Sequence, residues 1–232
     1  MTTPVQAIDS QDRSGPVPSP VWPPGQTWQT LPGRPPVLLA HFTDTAAYHA
    51  GLIARIQALE NDEEMSKRYV RVVSGTKVHH LDRWNSPEAD FINQRAIEFF
   101  KRALRLKAAC VDLSWATVYR TGDYTAPHSH LRAQASIVYC VDPGDDPRPD
   151  TPDGKLCFVD PRYTTCCNLE PNRMTYIVIP DMRAGSMVLF PAELVHCVNP
   201  YAGKRPRITL SWNISQNPVP GSPFDIMSGE TA

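Results

Sequence analysis

At 232 residues, with a formal net charge of −1 and 41% hydrophobic side chains, the chain suits one domain with a sizeable core. Its Lys and Arg residues are scattered, which excludes the basic footprint of a nucleic-acid-binding protein. No apolar run reaches membrane-spanning length and no basic start leads into an apolar segment, so a cytoplasmic protein with no membrane partner is expected.

Residues 1–36 hold nine prolines and little periodic apolar pattern. This predicts a disordered or surface-extended segment, a single domain over 37–216 and a loose tail over 217–232. Val37–Ala40 reads as a short strand. Helical spacing of Tyr48, Leu52, Ile53, Ile56 and Leu59 predicts a helix over Ala46–Leu59, capped by Thr43 or Thr45. Tyr69–Val73 reads as a strand. Ser86-Pro87-Glu88 opens a second helix, running to about Arg105 with Phe91, Ile92, Ala96, Phe99, Phe100 and Leu104 on one stripe. His79 and His80 precede that helix and read as loop histidines.

From Ala109 onward the pattern changes to short apolar runs at 110–120, 134–141, 155–159, 174–179, 186–190, 194–198 and 207–213, punctuated by Pro, Gly and Asp. Many short strands after two helices predict a mainly β fold, a jelly roll (double-stranded β-helix) with the helices backing one sheet. Trp115 and Trp212 read as core. The six cysteines, Cys166-Cys167 included, lack C-x-x-C spacing and read as reduced thiols.

Chemistry concentrates in three places. Gly122-Asp-Tyr-Thr-Ala-Pro-His128-Ser-His130 puts two histidines two apart, a spacing that places both on one face of a strand. His196 follows on another predicted strand and can add a third imidazole, a ligand suited to Fe, Zn, Cu or Ni. Arg207 opens the alternating strand Arg-Ile-Thr-Leu-Ser-Trp-Asn, whose odd positions share a face. A planar guanidinium there suits a carboxylate-bearing cosubstrate held in two parallel hydrogen bonds.

In order and spacing, these pieces over about Trp115–Ile214 resemble the iron(II)- and 2-oxoglutarate-dependent oxygenases, most closely a small bacterial and phage branch that tends to show His-x-His. The resemblance implies Fe(II) on His128, His130 and His196, with O2 as co-reactant. It further implies 2-oxoglutarate held by Arg207, Thr209, Tyr119 and Tyr139. It implies oxidation, hydroxylation first, of a C–H bond of a small-molecule or amino-acid-like substrate, with release of succinate and CO2. Most of the family carries His-x-Asp, so His130 is a departure; Asp160 is the alternative carboxylate ligand, and with Arg162 a substrate-facing candidate. The number of subunits stays open, a homodimer included. Two rival readings remain: a three-histidine cupin dioxygenase that needs no 2-oxoglutarate, suggested by Gly122, Gln134 and Gly185 around the histidines, and a metal-binding barrel without turnover.

Overall fold

Apolar periodicity of 3.6 gives way to alternation in the structure where it does in the sequence. In a computed structural model that describes residues 19–31, 35–130, 132–145, 151–159 and 177–218, the chain runs β1 (Trp28–Leu31), β2 (Val37–His41), α1 (Ala46–Leu59), β3 (Ser66–Val70), β4 (Ser74–His79) and α2 (Pro87–Leu104). It continues through β5 (Cys110–Tyr119), β6 (Thr125–His128), β7 (Ala135–Asp142), β8 (Leu156–Val159), β9 (Ile177–Val178), β10 (Ser186–Pro191), β11 (His196–Val198) and β12 (Arg207–Ser215). Both long helices lie where their apolar stripes predict. Ser86 caps α2 by accepting from the Ala89 amide, with Pro87 in the first turn. Thr45 does not cap α1; its hydroxyl donates to the Phe42 carbonyl instead.

All strand pairings are antiparallel. Eight strands form one sheet in the order β1-β2-β10-β7-β12-β5-β4-β3, and β6-β11-β8-β9 form the second. The two sheets make the jelly-roll sandwich, with α1 and α2 against the outer face of the larger one. Strand β12 shows how alternation distributes residues between these layers. Ile208, Leu210, Trp212 and Ile214 face the helices and join Leu52, Ile56, Phe99 and Phe100 in the larger core. Arg207, Thr209, Ser211 and Asn213 face the sandwich interior, all nine-tenths buried or more. A second core between the sheets, with Phe158, Val188, Phe190 and Leu194, closes one end of that interior.

Three expectations need correction. Disorder through residue 36 does not hold for residues 19–31. Trp22 and Trp28 pack on Phe99 at 5.8 and 5.7 Å, β1 pairs with β2, and the fully buried Arg95 donates to the Pro20 and Val21 carbonyls. Two indoles supply enough apolar area to order a proline-rich stretch. The strand expected at Tyr69–Val73 is instead the hairpin β3–β4, turning at Arg71–Val73, so His79 ends a strand rather than lying in a loop. Trp115 is a cleft wall, described below, while Trp212 is core as expected, its indole donating to Asn93 at 2.8 Å. Cys110, Cys140, Cys157 and Cys197 are free thiols; Cys166 and Cys167 lie outside the described residues.

Candidate metal centre and cosubstrate pocket

His128, the last residue of β6, stands directly opposite His196, the first residue of β11. Their rings are 4.3 Å apart between centroids. His130 lies two residues beyond the end of β6, so strand alternation does not aim it. Its backbone amide donates to the Ala192 carbonyl at 2.8 Å, and Asn213 Nδ2 reaches its Nδ1 at 3.4 Å. These contacts bring its ring to 5.0 Å from His128 and 5.1 Å from His196. One nitrogen from each ring falls within 4.8 Å of the others, the only such grouping of His, Cys, Asp or Glu among the described residues.

The donor set fits a metal ion. His128 Nδ1 and His196 Nδ1 each lie 2.9 Å from the carbonyl two residues back, Ala126 and Leu194. A carbonyl can only accept, so both Nδ1 atoms carry the proton and both Nε2 lone pairs are free, the arrangement usual for metal-ligating histidines. Burial lowers all three imidazole pKa values; repulsion from neighbouring histidines reinforces it for His130 (to about 3) and His196 (to about 4), and the Lys77 charge adds to it for all three. The triad is therefore neutral at physiological pH, the form that ligates.

Arg207 opens the same interior from β12. Its side chain is buried and its Nη1 has no hydrogen-bond partner among the described residues. An orphaned guanidinium nitrogen is costly unless a ligand completes it, and a carboxylate is the matching shape. The ring of Tyr119 lies 5.3 Å from the guanidinium carbon, and Tyr119 Oη is 2.9 Å from Thr125 Oγ1. Burial raises the Tyr119 pKa, so the phenol remains a neutral donor. Thr209 shares the inward face of β12 with Arg207. Between Ile208 and Thr209 the pairing with β7 slips by one residue, a bulge of the kind common beside sites. His128, His196, Tyr119, Arg207 and Thr209 line one cleft with about 510 Å3 of unfilled space, its open mouth included.

Tyr139 does not belong to this group. It sits on the opposite face of β7, fully buried in the helix-side core, with its Oη 2.6 Å from His49 Nε2. Its neighbour Cys140 shares the inner face with Thr209, the residue it pairs with. A one-residue difference in parity decides which side chain sees the cleft. Asp160 and Arg162 lie outside the described residues. Two cleft residues escape the sequence reading: Trp115, whose ring centroid is 6.1 Å from that of His130, and Lys77 of β4. Parity with Tyr119 along β5 was the available signal for Trp115; Lys77 had none, because β4 itself was not foreseen.

A jelly roll with a convergent histidine triad and a buried, incompletely bonded arginine has the side chains that could hold a metal ion and a carboxylate. The family model described as "Putative 2OG-Fe(II) oxygenase" matches residues 113–213, which contain the triad, Arg207 and Thr209. Over these residues the chain matches the iron(II)- and 2-oxoglutarate-dependent oxygenases, oxidoreductases that use Fe(II), 2-oxoglutarate and O2. The match favours the oxygenase reading over the cupin one. No curated protein matches the sequence. Among solved structures, AviO1 from Streptomyces viridochromogenes Tue57 is similar at 16% identity and TM-score 0.58, covering 80% of this chain and 92% of that one. A Pseudomonas putida prolyl-4-hydroxylase is similar at 18% identity and TM-score 0.53, covering 83% and 94%. The epimerase SnoN, in complex with Fe3+, alpha-ketoglutarate and nogalamycin RO, is similar at 15% identity and TM-score 0.59, covering 84% and 87%. These likenesses concern the fold.

Proposed function

We propose that this oxygenase hydroxylates a C–H bond of a small organic or amino-acid-like substrate, releasing succinate and CO2, with Fe(II) on His128, His130 and His196. The observation that carries this reading is the pairing, in one cleft, of a neutral three-imidazole cluster with the partnerless Nη1 of Arg207. When bound, the metal and 2-oxoglutarate supply the oxidising chemistry, coupling decarboxylation of the 2-oxoacid to oxygen insertion.

The protein's share is orientation and shielding. Two fixed Nε2 lone pairs from paired strands and a third imidazole from the following loop define one side of the metal site. Arg207 takes the distal carboxylate of 2-oxoglutarate in a bidentate grip, and Thr209 adds a hydroxyl beside it. Tyr119 lies with its ring 5.3 Å from the guanidinium carbon and helps hold it in place. Trp115, Phe190 and Phe158 wall the triad with apolar rings, which limits water at the reacting centre. Three neutral ligands leave more positive charge at the site than two histidines and a carboxylate would, which favours a dianionic cosubstrate.

The test is succinate formation from 2-oxoglutarate with Fe(II) under air, screened against candidate substrates. Substrate-stimulated succinate release that disappears in Arg207→Ala supports the reading. O2 consumption that proceeds equally without any 2-oxoacid overturns it.

A further inference from the structure

Lys77 is the second cation of the cleft, and it does not belong to the cosubstrate grip. On β4 it pairs with Thr117 of β5, which pairs with Thr209 of β12, so it shares a row with the cosubstrate residues but stands two strands away. On its other side it pairs directly with Lys67 of the edge strand β3. Two like charges directly opposed on adjacent strands destabilise a sheet. No salt bridge to either lysine is present among the described residues. Their ammonium groups are instead gathered around aromatic rings: Lys67 and Lys77 lie 5.5 and 5.7 Å from the centre of the Tyr69 ring, and Lys77 lies 4.7 Å from that of Trp115. Rings orient an ammonium without neutralising it.

Charge complementarity extends the argument. Among the described residues, those lining the cleft include Lys77, Arg207 and the three histidines, and no Asp or Glu. On the proposed function, the dianion of 2-oxoglutarate offsets the metal, leaving Arg207 and the lysine pair as excess positive charge. Burial pulls the Lys77 pKa down to about 8, the direction expected of an ammonium that lacks a counter-ion.

We infer that Lys67 and Lys77 form an anion-binding lip of the active-site cleft, and that the primary substrate is a small molecule carrying an oxyanion, a carboxylate or a phosphate, which docks there. The anion seats between the two ammonium groups, and Trp115 lies between this anchor and His130, so the group to be oxidised extends past the indole toward the triad. This assignment rests on the oxygenase reading above.

The test uses the full chain loaded with Ni(II) and 2-oxoglutarate, which holds the cosubstrate site filled without turnover. Butyrate, its near-isosteric neutral amide butyramide, and butyl phosphate are titrated while tryptophan fluorescence is followed, with Trp115→Phe isolating the response of that ring. At least one of the two anions should perturb Trp115 saturably and the amide should not; the tighter anion identifies carboxylate or phosphate as the substrate group. Lys77→Met should weaken the anion about tenfold or more, as expected for loss of a charge-assisted hydrogen bond, and Lys77→Arg should restore most of the loss. Lys67→Met should weaken it less. Equal responses to butyrate and butyramide, no saturable anion response, or affinities unchanged in Lys77→Met with the fold intact by circular dichroism would overturn the inference, leaving Lys67 as edge protection for the sheet and Lys77 as a cleft-lining charge without a ligand. Calorimetric binding of 2-oxoglutarate to the Ni(II) protein, measured first, separates the two readings. Its absence counts against the proposed function, whereas its presence with a charge-blind lip counts against the lysine assignment alone.

Discussion

His128 and His196 face each other across β6 and β11, and each Nδ1 donates to the carbonyl two residues behind it. The hydrogen bonds fix both tautomers before any metal arrives, so these two imidazoles are preorganised by backbone carbonyls alone. His128→Ala and His196→Ala should therefore abolish stoichiometric Fe(II) binding while circular dichroism and the thermal transition persist, because the two apolar cores do not use these rings. Full iron content in either variant would remove that residue from the ligand set.

His130 tests the unusual third ligand. His130→Ala should lower iron affinity at least tenfold, while Asp160→Asn should leave it near wild type. The opposite pattern, read by metal analysis after dialysis, would place Asp160 on the metal and restore a two-histidine, one-carboxylate set.

Arg207→Ala should weaken 2-oxoglutarate by about 2–5 kcal/mol, since the partner carboxylate is left buried and unpaired. That is about 30-fold or more in affinity. Arg207→Lys should recover part of this, because an ammonium cannot reproduce the planar fork. Iron content should be unchanged in both. Tyr139→Phe is the control from the other face of the sheet: it loses the bond to His49, costing about 1 kcal/mol of stability, with 2-oxoglutarate affinity intact.

The metal-free protein should lose stability on mild acidification. His130 and His196 have folded pKa values of about 3 and about 4, below the ordinary value of 6.5. Between pH 6.5 and 4 the unfolded chain binds protons that the folded chain does not, so unfolding is favoured progressively as pH falls and the effect vanishes above pH 6.5. Denaturant midpoints measured against pH should show this slope, and the His196→Gln protein should show a shallower one. A slope unchanged in that variant would show that His196 is not a buried neutral group.

Arg95→Ala should be among the most damaging changes away from the site. Arg95 is fully buried, holds Asp44 at 2.8 Å through two nitrogens, and donates to the carbonyls of Pro20 and Val21. Breaking such a pair leaves Asp44 uncompensated and releases the N-terminal stretch, costing about 3–5 kcal/mol in chemical denaturation. A loss under 1 kcal/mol would contradict the buried role.

Local pattern was sufficient for whatever depends on periodicity or on local backbone chemistry. The stripes of α1 and α2, the Ser86-Pro87 start and the alternation of β12 were legible because each is set within one element. The three histidines and Arg207 stood out as candidates because a metal and a carboxylate demand such side chains, and the structure brings them to one cleft. What required the tertiary structure was relative placement. Tyr119 and Tyr139 are alike as residues, yet strand parity turns one toward Arg207 and the other toward His49. His130 reaches the triad through contacts with Ala192 and Asn213, which are distant in sequence. Lys77 gains meaning only where β3 and β5 flank it, because the charge of a cleft is summed over strands that the sequence does not show side by side.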